Sequence, residues 1–199
     1  MEFWISLANQ IAAQRFSEWA AVIGAILYLL LAARNNPWCW VWGIISCIFW
    51  AYAAFALYGL YIDGALQIFY IFISIFGIYE WKYGGKDHQE LPISRLTWKQ
   101  HIWIWVGGLA LSWVLGAFFA AYTSAAATYL DAFTTVFSVI ITFMVIRKKI
   151  ENWLYWFLID SVYVYLYWSR GGFLIALLFV VYLVIVVFGY LSWRKKLLI

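Results

Sequence analysis

Long apolar runs alternate with short charged segments along the whole chain, and this pattern predicts a bundle of membrane-spanning helices. The segments 35–62, 100–130 and 171–193 contain no Asp, Glu, Lys or Arg. Each is long enough to cross the hydrocarbon core of a bilayer, which takes about 20 helical residues. The apolar runs between charges predict seven spans, near residues 16–34, 38–58, 64–81, 100–123, 129–146, 153–169 and 172–193.

Composition agrees with this class. The chain is 67% hydrophobic and 11% charged, whereas ordinary soluble domains are about 45–50% apolar. The first residues, MEFWISLANQIAAQRF, have no basic region, and no small-residue cleavage site follows an apolar core, so they do not resemble a removable signal peptide. We therefore expect a short amphipathic segment before the first span. We treat residues 1–199 as a single transmembrane domain.

The basic residues predict the orientation of the bundle. With seven spans, all 13 Lys and Arg residues except Arg15 and Arg170 fall at the same end of the helices. The positive-inside rule assigns that end to the cytoplasm, which leaves the N-terminus outside and the C-terminus inside. These interfacial residues also account for the net charge of +4, so the charge does not indicate a nucleic-acid partner.

Sequence similarity between the two halves of the chain predicts an internal repeat. Two sets of residues recur in the second half of the chain. Within each set, every residue is separated from its equivalent by the same number of positions, and that number differs by one between the two sets. Tyr70, Gly77 and Trp81 recur as Tyr182, Gly189 and Trp193, and Glu18, Arg34 and Trp40 recur as Asp131, Arg147 and Trp153. We infer two three-helix repeats, about 16–83 and 129–195, joined by a loop and one linking helix over about 84–128. A single linking span makes the repeats parallel, the class that includes SWEET-type carriers.

Polar and aromatic stripes on three of the spans mark candidate binding residues. At about 100° per residue, each stripe occupies one helix face. The stripes comprise Trp153, Trp156, Asp160, Tyr163 and Tyr167; Gln67, Tyr70, Ser74, Gly77 and Trp81; and Asp131, Thr134, Thr135, Ser138 and Thr142. An Asp at a helix centre costs about 2.5–3.5 kcal/mol on insertion, so it normally faces a bundle interior or a watery cavity. Asp160 is therefore expected either to line a solute site or to make a structural hydrogen bond between helices.

The other intramembrane polar residues leave alternatives open. Gln67 is suited either to a solute site or to holding helices together. Glu18 precedes Arg34, and Asp131 precedes Arg147, by the same distance in the sequence, which is about 24 Å of helix. This spacing places each acid near the outer edge of the hydrocarbon core, either as an interfacial carboxylate or as a gating residue where the solute enters. Thr135 and Ser138 lie beside Asp131 and are included in that possible gate.

The polar positions of the two repeats differ, and the difference suggests a solute that is itself asymmetric. The residue equivalent to Asp160 is Cys47, and the residue equivalent to Gln67 is Phe179. Aromatic side chains around one carboxylate are suited to a flat cationic ring, through stacking, cation–π attraction and charge pairing. We therefore expect the partners to be a small cationic aromatic solute and the lipid bilayer.

Three stretches of the sequence closely resemble the Pnu-type vitamin transporters. They are EWAAVIGAILYLL from residue 18, LQIFYIFISIFGIYEW from residue 66 and IRKKIENWLYWFLID from residue 146. The resemblance implies a bacterial inner-membrane protein with a SWEET-like three-plus-one-plus-three fold and a homotrimeric assembly. It also implies facilitated uptake of nicotinamide riboside, or in subgroups thiamine or riboflavin, with trapping by cytoplasmic phosphorylation.

The resemblance also assigns site residues, with one departure from the family pattern. Gln67, Trp153, Trp156 and position 160 are expected to line the site, and Tyr70 and Tyr163 share their helix faces. Many nicotinamide riboside carriers have Asn at the position of Asp160. The acid suits either nicotinamide riboside or thiamine, which both carry a cationic ring, and is less suited to neutral riboflavin.

Other classes of function have little support in the sequence. An enzyme acting on lipid-linked substrates would need paired carboxylates, a nucleophile with a base, or a metal site, and no such motif is present. A membrane adaptor without transport activity is a further alternative. We expect no cofactor and no metal.

Overall fold

The computed structural model describes residues 2–59, 61–122 and 128–197, and the described chain is helical almost throughout. The α-helices are α1 (Glu2–Ala13), α2 (Phe16–Ala33), α3 (Cys39–Tyr52), α4 (Tyr61–Tyr83), α5 (Trp98–Tyr122), α6 (Thr128–Ile146), α7 (Asn152–Ser169) and α8 (Phe173–Leu197). A π-helical segment, Ala53–Tyr58, extends α3, and a 3₁₀ turn, Lys86–His88, follows α4.

The prediction of an all-helical membrane protein is confirmed, and every predicted span coincides with a helix. Six helices of the described chain are long and apolar enough to cross a membrane; they are α2, α3 with its π-helical extension, α4, α5, α6 and α8. The remaining predicted span, 153–169, forms α7 but is not among these six, because its polar and aromatic residues make it less apolar. The predicted end of the fourth span at 123, and residues 123–127 of the predicted linker, lie outside the described residues.

The turns that follow α2 and α6 have the same backbone geometry at equivalent positions of the two repeats. Asn35 and Lys148 both adopt left-handed φ angles, of 57° and 46°. The next residue in each turn donates its N–H to the helix it has just left, from Asn36 to the Leu31 carbonyl at 2.9 Å and from Lys149 to the Met144 carbonyl at 2.8 Å. This is the way a chain commonly leaves the end of a helix. The equivalence supports the repeat inferred from the sequence.

The helices pack as two three-helix bundles that meet along two seams. In the first bundle α3 packs against α2 and α4, and in the second bundle α7 packs against α6 and α8. Contacts of α4 with α6 and of α2 with α8 join the bundles, so these six helices form a closed ring. Outside this ring, α5 packs against α6 and α1 packs against α8.

Four tryptophans form a buried cluster at the end of the ring that carries most of the basic residues, here called the basic end. Trp81 contacts Trp40 at a centroid distance of 5.6 Å and Trp193 at 5.8 Å, and Trp193 contacts Trp153 at 5.5 Å. All four are at most 1% exposed. Glycines provide the space for two of them, since a Cβ at Gly77 would come within 2.5 Å of the Trp40 ring.

The loop from α4 to α5 lies across the basic end as an extended strap, residues 89–97. Ser94 exchanges backbone hydrogen bonds of 3.0 Å with Lys148 and Ile150 in the α6–α7 turn. Beneath the strap, the Lys148 side chain is fully buried; its Nζ lies 4.6 Å from the centre of the Trp81 ring and 2.9 Å from a carboxylate oxygen of Glu90. Burial lowers the pKa of Lys148 from its usual 10.5, while the nearby Glu90 opposes part of that change.

Candidate functional site

Polar side chains from all six ring helices face one another in the middle of the bundle, and Asp160 on α7 is the acid among them. Asp160 is 3% exposed and interacts electrostatically with Tyr163 on its own helix and with Tyr182 on α8. Neither of the two ion pairs in the described part of the chain involves Asp160. The carboxylate is therefore near two phenols and forms no ion pair with the described residues.

Tyr163 connects this acid to the hydroxyl face of α6. Its phenol lies near the Thr134 and Ser138 hydroxyls. Its ring stacks on Phe179 of α8, with centroids 4.6 Å apart and planes 20° apart. Phe179 also stacks on Tyr167 at 5.7 Å and meets Tyr182 edge-on at 5.5 Å. The acid is thus next to the stacked aromatic rings of Tyr163, Phe179 and Tyr167.

The first bundle supplies the opposite side of this central cluster. Tyr70 on α4 lies near Thr142 of α6, Tyr163 of α7 and Cys47 of α3. Tyr28 on α2 interacts in turn with Cys47 and Tyr70. Gln67 is partly buried one turn from Tyr70 on α4, on the same helix face. The structure therefore places three of the six predicted binding residues near one another: Asp160, Tyr163 and Tyr70. A role for Gln67, which shares the helix face of Tyr70, stays a prediction.

The two predicted tryptophans lie closer to the basic end. Trp153 belongs to the buried tryptophan cluster, where its ring packs against Trp193 and Gly189. Its Nε1 is buried and has no hydrogen-bond partner in the described part of the chain. Trp156, one turn further along α7, is partly buried and packs against the apolar residues on both sides of that helix. A direct role for either tryptophan in solute binding stays a prediction.

Glu18 has a structural environment at the start of α2. It is 4% exposed, and its carboxylate accepts hydrogen bonds from the Tyr58 hydroxyl and, at 2.7 Å, from the Arg15 backbone N–H. An acid in the first turn of a helix also interacts favourably with the helix dipole. These contacts are those of a helix cap that fastens α2 to the end of the π-helical segment.

The remaining predicted gate residues are all on α6. Asp131 is partly buried in the first turn of that helix and interacts electrostatically with Tyr163. Ser138 is buried and faces the central cluster, whereas Thr135 is exposed on another side of the helix. The structure thus connects Asp131 and Ser138 to the centre and does not bring Thr135 to it. Their gating role stays a prediction.

Sequence reasoning did not select Phe179, Tyr182, Tyr28 or Cys47 as site residues, yet all four border the central cluster. A signal for three of them was present in the repeat. Tyr182 is the equivalent of Tyr70, Phe179 of Gln67 and Cys47 of Asp160. In two bundles that close into a ring, a position that faces the centre in one bundle has an equivalent that also faces the centre.

The chemistry of this cluster is complementary to that of a small, flat cation. A buried carboxylate is stabilised when a cation pairs with it, and stacked aromatic rings attract a planar cationic ring through their faces. The hydroxyls of Thr134, Ser138 and Tyr163 offer hydrogen-bond partners beside it. Among the described residues, no group of three or more His, Cys, Asp or Glu side chains is placed to hold a metal ion.

Comparisons with known proteins agree with this picture. The riboflavin/roseoflavin transporter RibM of Streptomyces davaonensis is 23% identical over 198 residues, covering 96% of this chain and 91% of RibM. A crystal structure of the vitamin B3 transporter PnuC matches the fold with a TM-score of 0.70 at 20% identity, covering 98% of this chain and 89% of that one. The sequence model of the nicotinamide mononucleotide transporter family matches residues 15–195. The chain therefore belongs to the nicotinamide mononucleotide transporter family, the Pnu-type family that its sequence motifs indicate.

Proposed function

We propose that this protein carries out facilitated uptake of nicotinamide riboside across the bacterial inner membrane, with trapping by phosphorylation in the cytoplasm. The observation that supports this proposal most directly is the buried Asp160, which has no basic partner among the described residues and lies beside stacked aromatic rings. The nicotinamide ring of the riboside is flat and cationic, so it would supply the missing counter-charge and stack on the same aromatic side chains. The ribose hydroxyls would then face the hydroxyls of α6.

Thiamine uptake by the same mechanism is the second candidate, because thiamine also carries a cationic ring. Riboflavin, which the relative RibM is named for, lacks that charge and would leave Asp160 without a counter-charge. Calorimetric titration of the purified protein with nicotinamide riboside, thiamine, riboflavin and nicotinamide mononucleotide would separate these solutes. Tight thiamine binding without binding of nicotinamide riboside would overturn the first choice.

The proposed architecture is two parallel three-helix repeats, α2–α4 and α6–α8, joined by α5 in a SWEET-like arrangement. The closed ring of six helices, with α5 outside it, supports this proposal. We also propose a homotrimer with the basic end in the cytoplasm and the N-terminus outside. Labelling of single cysteines in intact cells and in inverted vesicles tests the orientation, and native mass spectrometry tests the assembly.

Transport is proposed to be uniport, without a coupling ion. Proton-driven carriers usually contain relays of acids or histidines within their spans, whereas Asp160 is the sole acid at the centre of the predicted spans. Flux of radiolabelled nicotinamide riboside into proteoliposomes tests the function, since an enzyme or adaptor would give no flux. Accumulation driven by an imposed pH or sodium gradient would refute uniport.

A further inference from the structure

Two equivalent hydrogen bonds join the bundles at the basic end. The indole Nε1 of Trp81 on α4 donates to the Val145 carbonyl of α6 at 3.0 Å. The indole Nε1 of Trp193 on α8 donates to the Ala32 carbonyl of α2 at 2.9 Å. The two donors are equivalent positions of the repeat, and so are the two acceptors. Each bundle therefore holds the other by the same contact.

The two indoles that make these bonds also touch each other where the bundles meet. Their centroids are 5.8 Å apart, and both side chains are fully buried. Trp81 follows Tyr70 on α4 at the same spacing as Trp193 follows Tyr182 on α8, which is about 16 Å along each helix. The pair therefore lies at the basic end of the ring, beyond the central cluster.

Two polar contacts between the bundles surround this pair on the outside. Arg147 forms an ion pair with Glu80 of α4 at 2.9 Å, and Lys196 of α8 donates to the Arg34 carbonyl at 2.8 Å. All four contacts connect residues of different bundles at the same end of the ring. Separation of the bundles at this end would break all of them and would open the central cluster to the basic side.

We propose that Trp81 and Trp193 form the gate of the transporter at its basic end, held closed in this structure by their bonds to Val145 and Ala32. Each bond joins a side chain of one bundle to the backbone of the other. The bonds therefore depend on the relative position of the bundles rather than on the conformation of either bundle alone. A solute leaving the centre toward the basic end has to separate the two indoles. The proposal requires a central transport site but does not depend on which solute binds there.

Cysteine accessibility provides the test, because the chain contains only Cys39 and Cys47. In a Cys39→Ala background, Cys47 becomes the single thiol and reports access to the central cluster. Each sealed vesicle preparation is treated with a membrane-impermeant maleimide, and labelling is measured from the basic side and from the opposite side. Phe replaces Trp81 or Trp193, because Phe keeps an aromatic ring but removes the Nε1 donor.

Loss of one hydrogen bond changes an equilibrium constant about fivefold, so each single variant should label about five times faster from the basic side. The double variant should label about 25 times faster on the same basis. Labelling from the opposite side should fall or stay unchanged. A general loosening of the bundle would instead raise labelling from both sides.

The matched control is Trp40→Phe. Trp40 is equally buried in the same cluster, but its Nε1 has no hydrogen-bond partner in the described part of the chain. Its replacement should therefore change labelling less than twofold. The gate is overturned if Trp81→Phe and Trp193→Phe, shown to be folded by gel filtration, label no faster from the basic side than Trp40→Phe.

The ion pair outside the indoles gives a second readout that leaves the aromatic core intact. Glu80→Gln and Arg147→Gln should each raise basic-side labelling about two- to fivefold, the range expected for a partly exposed pair. The reciprocal exchange, Glu80→Arg with Arg147→Glu, should restore slow labelling. If the tryptophan variants fail to fold, unchanged labelling in both charge variants overturns the gate.

Discussion

Replacement of Asp160 by Asn tests the central claim about the binding site, because it removes the negative charge and keeps the shape and hydrogen bonding of the side chain. Asp160 is 3% exposed and is near Tyr163 and Tyr182. No ion pair of the described residues neutralises it. If a cationic ring is its partner, the substitution should weaken binding of that ring selectively.

The expected magnitude follows from the environment of the carboxylate. Two unit charges about 4 Å apart attract by about 4 kcal/mol at an effective dielectric constant of about 20, and desolvation of both groups offsets part of this gain. Interactions with charged groups contribute a net of about 1.5–3 kcal/mol. We therefore expect Asp160→Asn to weaken binding about 10- to 150-fold, and Asp160→Ala to weaken it more, since Ala also removes the hydrogen bonds.

Isothermal titration of the purified variants with nicotinamide riboside and with its reduced, uncharged form separates charge from shape. Asp160→Asn should weaken binding of the charged form and leave the uncharged form nearly unaffected. Asp87→Asn serves as a control, because that acid is exposed in the loop after α4. Equal losses for both forms, or changes below twofold for both Asp160 variants, would refute the charge-pairing role and make Asp160 a structural residue.

Three further predictions concern the framework of the transporter. Gly77→Ala places a Cβ 2.5 Å from the buried indole packed against it, so it should destabilise the protein by about 1–3 kcal/mol; thermal unfolding in detergent measures this, and Gly107→Ala, which meets open space, should have no comparable effect. Because burial lowers the pKa of Lys148 below 10.5, the folded protein releases this proton at a pH where the unfolded chain retains it. The free energy of unfolding should therefore rise with pH between the lowered pKa and 10.5. Denaturant titrations should show the same rise in the free energy of unfolding of the unsubstituted protein minus that of Lys148→Met, and a difference that does not vary with pH would contradict the prediction. Tyr58→Phe should cost about 0.5–1.5 kcal/mol through the lost bond to Glu18 and leave solute affinity unchanged in calorimetric titration; a large loss of affinity would instead favour a role for Glu18 in solute access.

The sequence predicted the helices well because each span is longer and more apolar than any soluble helix requires. The charges between the runs fixed their approximate ends, and α2 and α6 end at or next to the predicted positions. The repeat also anticipated a tertiary feature. Asn35 and Lys148 are chemically different, yet both adopt a left-handed φ, and in both turns the next backbone N–H bonds back to the helix.

The contents of the site could be predicted only in part. Periodicity places Asp160, Tyr163 and the tryptophans of α7 on a common face, but one face of a long helix meets different neighbours along its length. Toward the basic end that face packs against Trp193, and at its middle it borders Tyr182 and Phe179. The same stripe thus contains a packing residue and candidate binding residues.

The strap over the basic end was not predictable by the same means. Ser94 pairs with Lys148 and Ile150, which are distant in the sequence, and its polar, irregular segment has no periodicity to interpret. Lys148 illustrates the consequence, since its sequence context suggests an interfacial charge whereas the fold buries it against Trp81.

The sequence by itself determined the membrane class, the approximate limits of the predicted spans and the presence of an acid in the middle of α7. These features follow from the composition and spacing of residues within each segment, which reflect whether the segment lies in lipid or in water. Only the tertiary structure decided which polar residues share the centre, which tryptophans pack at the basic end and which indoles bind the opposite bundle. Those contacts depend on how the two bundles are placed against each other, and no single helix contains that information.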